Sequence, residues 1–114
     1  MRIEEYSFGR MVIDGKEYRA DLLVNGEKVR ANWWRKEGHR LQLDDVKNVI
    51  DETGPEVLIV GRGKFGMMRV SEELERFLAE RGIELRAAPT ALAVEEFNRL
   101  VGTRKVLGAF HLTC

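Results

Sequence analysis

The sequence has 114 residues, 44% of them apolar and a third charged, with 19 lysines and arginines against 19 aspartates and glutamates. That length suits one domain able to bury a core without a metal or disulfide staple. Balanced charge excludes the net positive footprint of a nucleic-acid binder and, at this apolar content, an intrinsically disordered chain.

The opening, Met1 to Tyr6, carries Arg2, Glu4 and Glu5 where a secretory signal would be apolar, so no such signal is expected. Tyr6, Phe8 and Met11-Val12-Ile13 begin a β-rich region with hairpin turn signals at Asp14-Gly15 and Asn25-Gly26. Tyr18 to Val24 and Val29 to Trp34 flank the second turn and complete an antiparallel meander of short strands. Gly38-His39-Arg40 reads as an exposed loop.

From Leu43 to Thr53 the period changes to helical. Val46, Val49 and Ile50 share one face, Asp44 or Asp45 caps the start, and Gly54-Pro55 stops the helix. Val57 to Val60 is an unbroken apolar run, read as a strand buried on both faces. Gly61, Gly63 and Gly66 open the backbone after it, with Arg62 and Lys64 between them. Ser71 caps a helix whose buried stripe is Leu74, Phe77 and Leu78, ending at Arg81-Gly82. Ile83 to Ala87 is a strand. Thr90 caps a third helix, 91–101, with Leu92, Ala93, Phe97 and Leu100 inward, and Val106 to Leu112 is a final strand.

Helix and strand thus alternate through the second half, which implies right-handed crossovers and a largely parallel sheet. The expectation is a single three-layer α/β domain over residues 1–114, with a mixed, mostly parallel central sheet, helices, and an N-terminal antiparallel β meander. Val57, Leu58, Ile59, Val60, Phe77, Leu78, Phe97 and Phe110 are expected in one buried cluster.

Several of these segments together resemble a known family. They are Trp33-Trp34-Arg35, the Leu-Ile-Val-Gly-Arg-Gly turn at 58–63, Gly82-Ile83, the Thr90 and Phe97-Asn98 helix, and Gly108 to Cys114. The set is similar over nearly the whole chain to the adipogenesis-associated Mth-type domain family. That resemblance implies a compact three-layer α/β fold. Eukaryotic members include a mitochondrial assembly factor for respiratory complex I and a cytoplasmic protein linked to fat-cell differentiation. The resemblance carries over no enzymatic activity, and this chain shows no mitochondrial presequence, so the assembly role does not transfer.

No complete catalytic constellation stands in the sequence, so the residues lean away from an enzyme, and no cofactor is expected. Gly61-x-Gly63-x-x-Gly66 matches a dinucleotide fingerprint as a string. In that motif, however, the helix starts inside the glycines, whereas here helical signals start at Ser71. The loop is not a phosphate-binding P-loop either, because no Gly-Lys-Ser/Thr follows. It reads as a tight strand exit or a small-anion site built from Gly61, Arg62, Gly63, Lys64 and Thr90. His111 and Cys114 are three apart, which in a strand places them on opposite faces, and a zinc site would need more ligands. Trp33, Trp34 and Arg35 offer a protein-contact patch, since neighbouring strand residues face opposite ways and one tryptophan is then exposed.

Two functions follow. The first is a non-enzymatic protein-interaction or assembly module. The second is a small-molecule or anion-binding protein, with an enzyme among its options, using the Gly61–Gly66 loop. A protein partner or a small anion fits the sequence; nucleic acid and membrane do not, because no apolar run approaches about 20 residues. The single cysteine, Cys114, is the last residue, so no intramolecular disulfide forms and a reducing cytoplasm is the expected compartment.

Overall fold

A computed structural model describes residues 1–114. In chain order the elements are β1 (Ile3–Ser7), β2 (Arg10–Ile13), β3 (Lys16–Tyr18), β4 (Leu22–Val24), β5 (Val29–Arg30), β6 (Arg40–Leu41), α1 (Leu43–Thr53), β7 (Val57–Arg62), β8 (Arg69–Val70), α2 (Glu72–Glu80), β9 (Glu84–Ala88), α3 (Thr90–Leu100) and β10 (Val106–His111).

The central sheet has the order β5-β4-β10-β7-β9. β7 runs parallel to both β10 and β9, with Val57 opposite Val106 and Glu84, while β4 returns antiparallel to β10, with Leu22 opposite Phe110. β1, β2 and β3 form the expected N-terminal meander as a separate antiparallel sheet, and β6 pairs with β8 in parallel.

β7 shows why this is a three-layer domain. Successive strand side chains face opposite ways, and both sets are apolar. Val57 and Ile59 pack on one side with α3, Ile3, Met11 and Ile13, so α3 and the meander share a layer. Leu58 and Val60 pack on the other with Val46, Val49 and Ile50 of α1 and Leu74 and Leu78 of α2. The expected single cluster is therefore two clusters, one on each face of the sheet. Phe77 is only half-buried and lies under the Arg81 guanidinium, 4.3 Å from its ring centre, at the margin of the second cluster.

Three local expectations are corrected, each for a physical reason. Tyr18 to Val24 is not one strand, because the chain crosses at Arg19–Asp21 from the meander to the central sheet. Trp33 and Trp34 lie beyond β5 in a loop that turns at Asn32 (φ 55°), so strand alternation is not what separates a half-buried Trp33 from an exposed Trp34. In α3 the inward stripe is Thr90, Ala93, Val94, Phe97 and Leu100, and Leu92 faces solvent. Pro89 holds the N-cap position there and Thr90 is the first helical residue. Similarly, Gln42 is the N-cap of α1, with Asp45 three residues on accepting the Gln42 N–H at 2.8 Å.

Candidate functional site

The carboxyl ends of β7, β9 and β10 and the start of β4 meet at one end of the sheet. β7 leads to α2 on one face and β9 leads to α3 on the other, so the strand order switches between them, which is where an open α/β sheet forms a crevice. A crevice of about 420 Å³ does lie there, with Arg62, Met67, Arg69, Glu75 and Leu85 among its lining.

The glycine loop is held tightly within the protein. Gly63 N–H donates to Thr90 Oγ1 at 2.9 Å, Thr90 N–H donates back to Gly63 O at 3.0 Å, and the Thr90 hydroxyl donates to His111 O at 2.6 Å. Lys64 N–H donates to Thr113 O at 2.9 Å and Met68 N–H to Arg62 O at 3.0 Å. The structure thus brings Gly61, Gly63 and Thr90 together, and it points the Gly63 and Lys64 amides at protein acceptors. Arg62 Nε donates to Met68 O at 2.7 Å and closes the loop on itself. Lys64 is exposed, with its ammonium 6.0 Å from the Phe8 ring centre and 5.6 Å from that of Phe65. Gly63 sits at φ +94°, and a Cβ there would lie 2.8 Å from Thr113 O and 2.9 Å from the His111 ring, so only glycine fits without a shift.

Beside this loop lies a buried polar cluster that sequence patterning does not assemble. Arg35 Nη1 donates to Asp21 Oδ2 at 2.7 Å and Arg35 Nη2 to Gly38 O at 2.7 Å. Leu112 N–H donates to Asp21 Oδ1 at 2.8 Å, and His111 Nδ1 lies 2.7 Å from Asp21 Oδ2. Arg35 is buried, stacked 4.9 Å from the centre of the Trp33 ring, and not a solvent-facing neighbour of Trp34. Trp33 Nε1–H donates to Asp45 O at 3.1 Å, which anchors it to α1. In the sequence Asp21 reads as a mid-strand residue, and His111 has only Cys114 for a neighbour of interest. The available signal is a lone acid directly before an apolar Leu22-Leu23-Val24 run and a lone histidine in an apolar final strand, two polar groups bound for the interior with no evident partner.

Burial pushes the Asp21 carboxyl up, but donation from His111, Leu112 and Arg35 outweighs it and holds the group below its ordinary value. A carboxylate lowered on folding contributes stability that is present above its unfolded pKa and is lost as pH falls through its folded one. Unfolding free energy is therefore expected to decline below about pH 4. In Asp21→Asn this part of the acid dependence disappears, which denaturant titrations of both proteins across that range measure.

The rim around this end carries exposed apolar side chains among charged ones. The large hydrophobic side chains with the greatest exposure are Phe8, Trp34, Phe65, Met67 and Leu92, each between 52% and 77% exposed. All five are at the same end. Phe8 is in the β1–β2 turn, where Gly9 N–H bonds Leu112 O, just past β10. Phe65 and Met67 follow β7, Leu92 is in the first turn of α3, and Trp34 adjoins Arg35, which reaches His111.

Fold and site define a small three-layer α/β domain with a mixed five-stranded sheet, a polar knot at its carboxyl end and an apolar rim around that knot. The chain belongs to the family described as "Protein of unknown function (DUF498/DUF598)", which matches residues 3–111. Among solved structures it resembles the conserved hypothetical protein PH1505 from Pyrococcus horikoshii OT3, with 27% identity over 100% of both chains and a TM-score of 0.86. It is also similar to MT938, with 24% identity over 99% of this chain and 98% of that one and a TM-score of 0.79. A third likeness is to a Bordetella pertussis protein described as a Mth938-like domain, with 19% identity over 97% of this chain and 85% of that one and a TM-score of 0.68. These matches agree with the Mth-type resemblance of the sequence.

Proposed function

We propose that the protein is a non-enzymatic interaction or assembly module that docks a protein partner on its apolar rim. The observation that carries this reading is the gathering of Phe8, Trp34, Phe65, Met67 and Leu92 at one end of the sheet. Exposed apolar side chains scattered singly are ordinary, whereas several at one end, interleaved with polar groups, mark a contact surface. Tryptophan and other aromatics at the centre of such a surface carry most of the binding energy. Lys64, placed among Phe8 and Phe65, selects a partner segment with a carboxylate among apolar side chains. The buried Asp21–Arg35–His111 cluster supports the rim from below, because it ties the Trp34 loop to β4 and β10. No helix is long and apolar enough to cross a membrane. We assign the module to the cytoplasm, where its single free cysteine stays reduced.

Purified partner, captured stoichiometrically and titrated against variants, tests the reading. Trp34→Ser and Phe65→Ser are each expected to weaken binding by about 30-fold, the equivalent of about 2 kcal/mol. Lys28→Ser, in the Asn25–Lys28 turn at the opposite end of the sheet, is expected to leave it unchanged. Equal loss in all three variants, or none in any, counts against the rim.

The crevice beside Arg62 and Arg69 favours a second reading, a small-anion site at the strand-order switch. It requires phosphate or sulfate to bind the native protein and Arg62→Ala/Lys64→Ala to abolish that binding. With the Gly63 and Lys64 amides bonded internally, only side-chain cations and the remaining loop amides are left to serve it, so the docking reading stands first.

A further inference from the structure

We propose that the outer edge of β9 pairs antiparallel with the same edge of a second copy of this chain, joining two central sheets into one. β9 ends the five-stranded sheet, with β7 as its one neighbour there. The Glu84 N–H donates to Glu56 O at 3.0 Å, so Glu84, Arg86 and Ala88 turn their main-chain groups to β7. Leu85 and Ala87, between them, turn theirs outward, and an open row of such groups is a template for another strand. The other edges are short or closed. β3 has three residues and β5 two. β1 is closed at Ile3 by the Asn98 amide, which accepts from the Ile3 N–H at 2.9 Å and donates to Ile3 O at 2.8 Å. β9 has five residues, no proline and an unbroken register.

The sequence of this edge is complementary to itself. A two-fold axis at Leu85 sets Leu85 against Leu85 as a hydrogen-bonded pair and Ala87 against Ile83. The Ile83 N–H is already given to Leu78 O, which leaves its carbonyl for the Ala87 amide. Between these pairs Glu84 faces Arg86 of the second copy, twice by symmetry, and opposite charges in that position stabilise a pair of strands. A slip that pairs Leu85 with Ala87 sets Arg86 against Arg86, like charges directly opposite. A further slip, centred on Ala87, leaves Glu84 opposite Thr90, already in α3. The charges therefore select one register. Arg86 and Glu84 pair with each other and with Glu96 and Arg104 within the chain, yet their side chains remain 33% and 42% exposed, with room for the opposite strand. On the other face Phe77, Ile83 and Leu85 are half-buried at the margin of the second cluster, and the second copy extends their cover. Antiparallel pairing directs the two apolar rims away from each other, so a dimer carries two docking faces.

Sedimentation equilibrium of the wild type, Glu84→Arg, Arg86→Glu and an equimolar mixture of the two variants tests the proposal. The expected result is a concentration-dependent dimer in the wild type and a dissociation constant raised about tenfold or more in each variant alone, where like charges now face each other twice. The mixture is expected to regain wild-type dimerisation, because the two acids of one variant then face the two arginines of the other. In the wild type alone, amide hydrogen exchange at Leu85 and Ala87 is expected to slow as the protein is concentrated into the dimer. A wild type that stays monomeric, exchange at Leu85 and Ala87 that ignores concentration, variants that dimerise as tightly as wild type, or a mixture no tighter than either variant would each overturn it.

Discussion

Phe97→Ala is expected to lower the unfolding free energy by about 3–5 kcal/mol, the cost of removing a fully buried phenylalanine from a core that cannot collapse around the gap. Phe97 has no exposed surface and lies edge-to-face with Phe110, ring centres 5.8 Å apart at 78°. It also fills the space over Gly108, where a Cβ would come within 3.1 Å of its ring and closer still to Phe110. The chain is fitted to these two rings, since the central strand gives up its side chain at position 108 to admit them. Phe97 and Phe110 both belong to the buried cluster that joins α3, β7, β10 and the meander. Equilibrium denaturation at neutral pH measures the loss, and Phe97→Leu, which keeps most of the volume, is expected to lose far less. Phe77→Ala, on a half-buried ring at the margin of the other cluster, is expected to fall well short of Phe97→Ala.

Asp21→Ala should be nearly as damaging, at about 3 kcal/mol, for an electrostatic reason. Asp21 accepts from Arg35, His111 and the Leu112 amide at 2.7, 2.7 and 2.8 Å. The Arg35 side chain is 5% exposed. Removing the carboxylate leaves that guanidinium buried without its counter-charge, which is the costly half of breaking a buried ion pair. Replacing both partners removes the stranded charge as well, so Asp21→Leu/Arg35→Met is expected to be more stable than Asp21→Ala alone. The same cluster holds the loop that carries Trp34, so Asp21→Ala is also expected to weaken partner binding without touching the rim. Asp21→Leu, Arg35→Met and their double substitution, read by denaturant unfolding, give the coupling. An Asp21→Ala protein as stable as wild type would show the cluster to be dispensable.

The architecture is legible where the sequence repeats a simple period. The apolar run at 57–60, the Ser71 cap with Leu74 and Leu78, and the alternation of helix and strand after residue 43 all record local rules that tertiary packing then reinforces. The Thr90–Gly63 contact is legible too, because a helix start and a strand exit belong at the same end of a parallel sheet. What escapes the sequence is long-range. Nothing local says that Asp21 meets His111, 90 positions away, or that a chain segment rich in strand formers divides at Arg19–Asp21 to serve two different sheets. The sequence pattern gives the cap to Thr90, where Pro89 takes it, and counts Leu92 inward, where the buried face runs through Thr90, Ala93, Val94, Phe97 and Leu100 and leaves Leu92 in water. The rim is only partly readable. An exposed tryptophan is expected in the Trp33-Trp34 pair, but Phe8, Phe65, Met67 and Leu92 are far apart in sequence and join Trp34 only through the fold.

That convergence is most directly tested by site-specific photo-crosslinking in native cell extract. A photoreactive residue is placed in turn at positions 8, 34 and 65 on the rim and at positions 27 and 28 in the opposite turn. The expected result is one and the same protein crosslinked from all three rim positions and none from positions 27 and 28. Crosslinks from positions 27 and 28 to that protein, or three unrelated products from the rim, would contradict a docking face at the carboxyl end of the sheet.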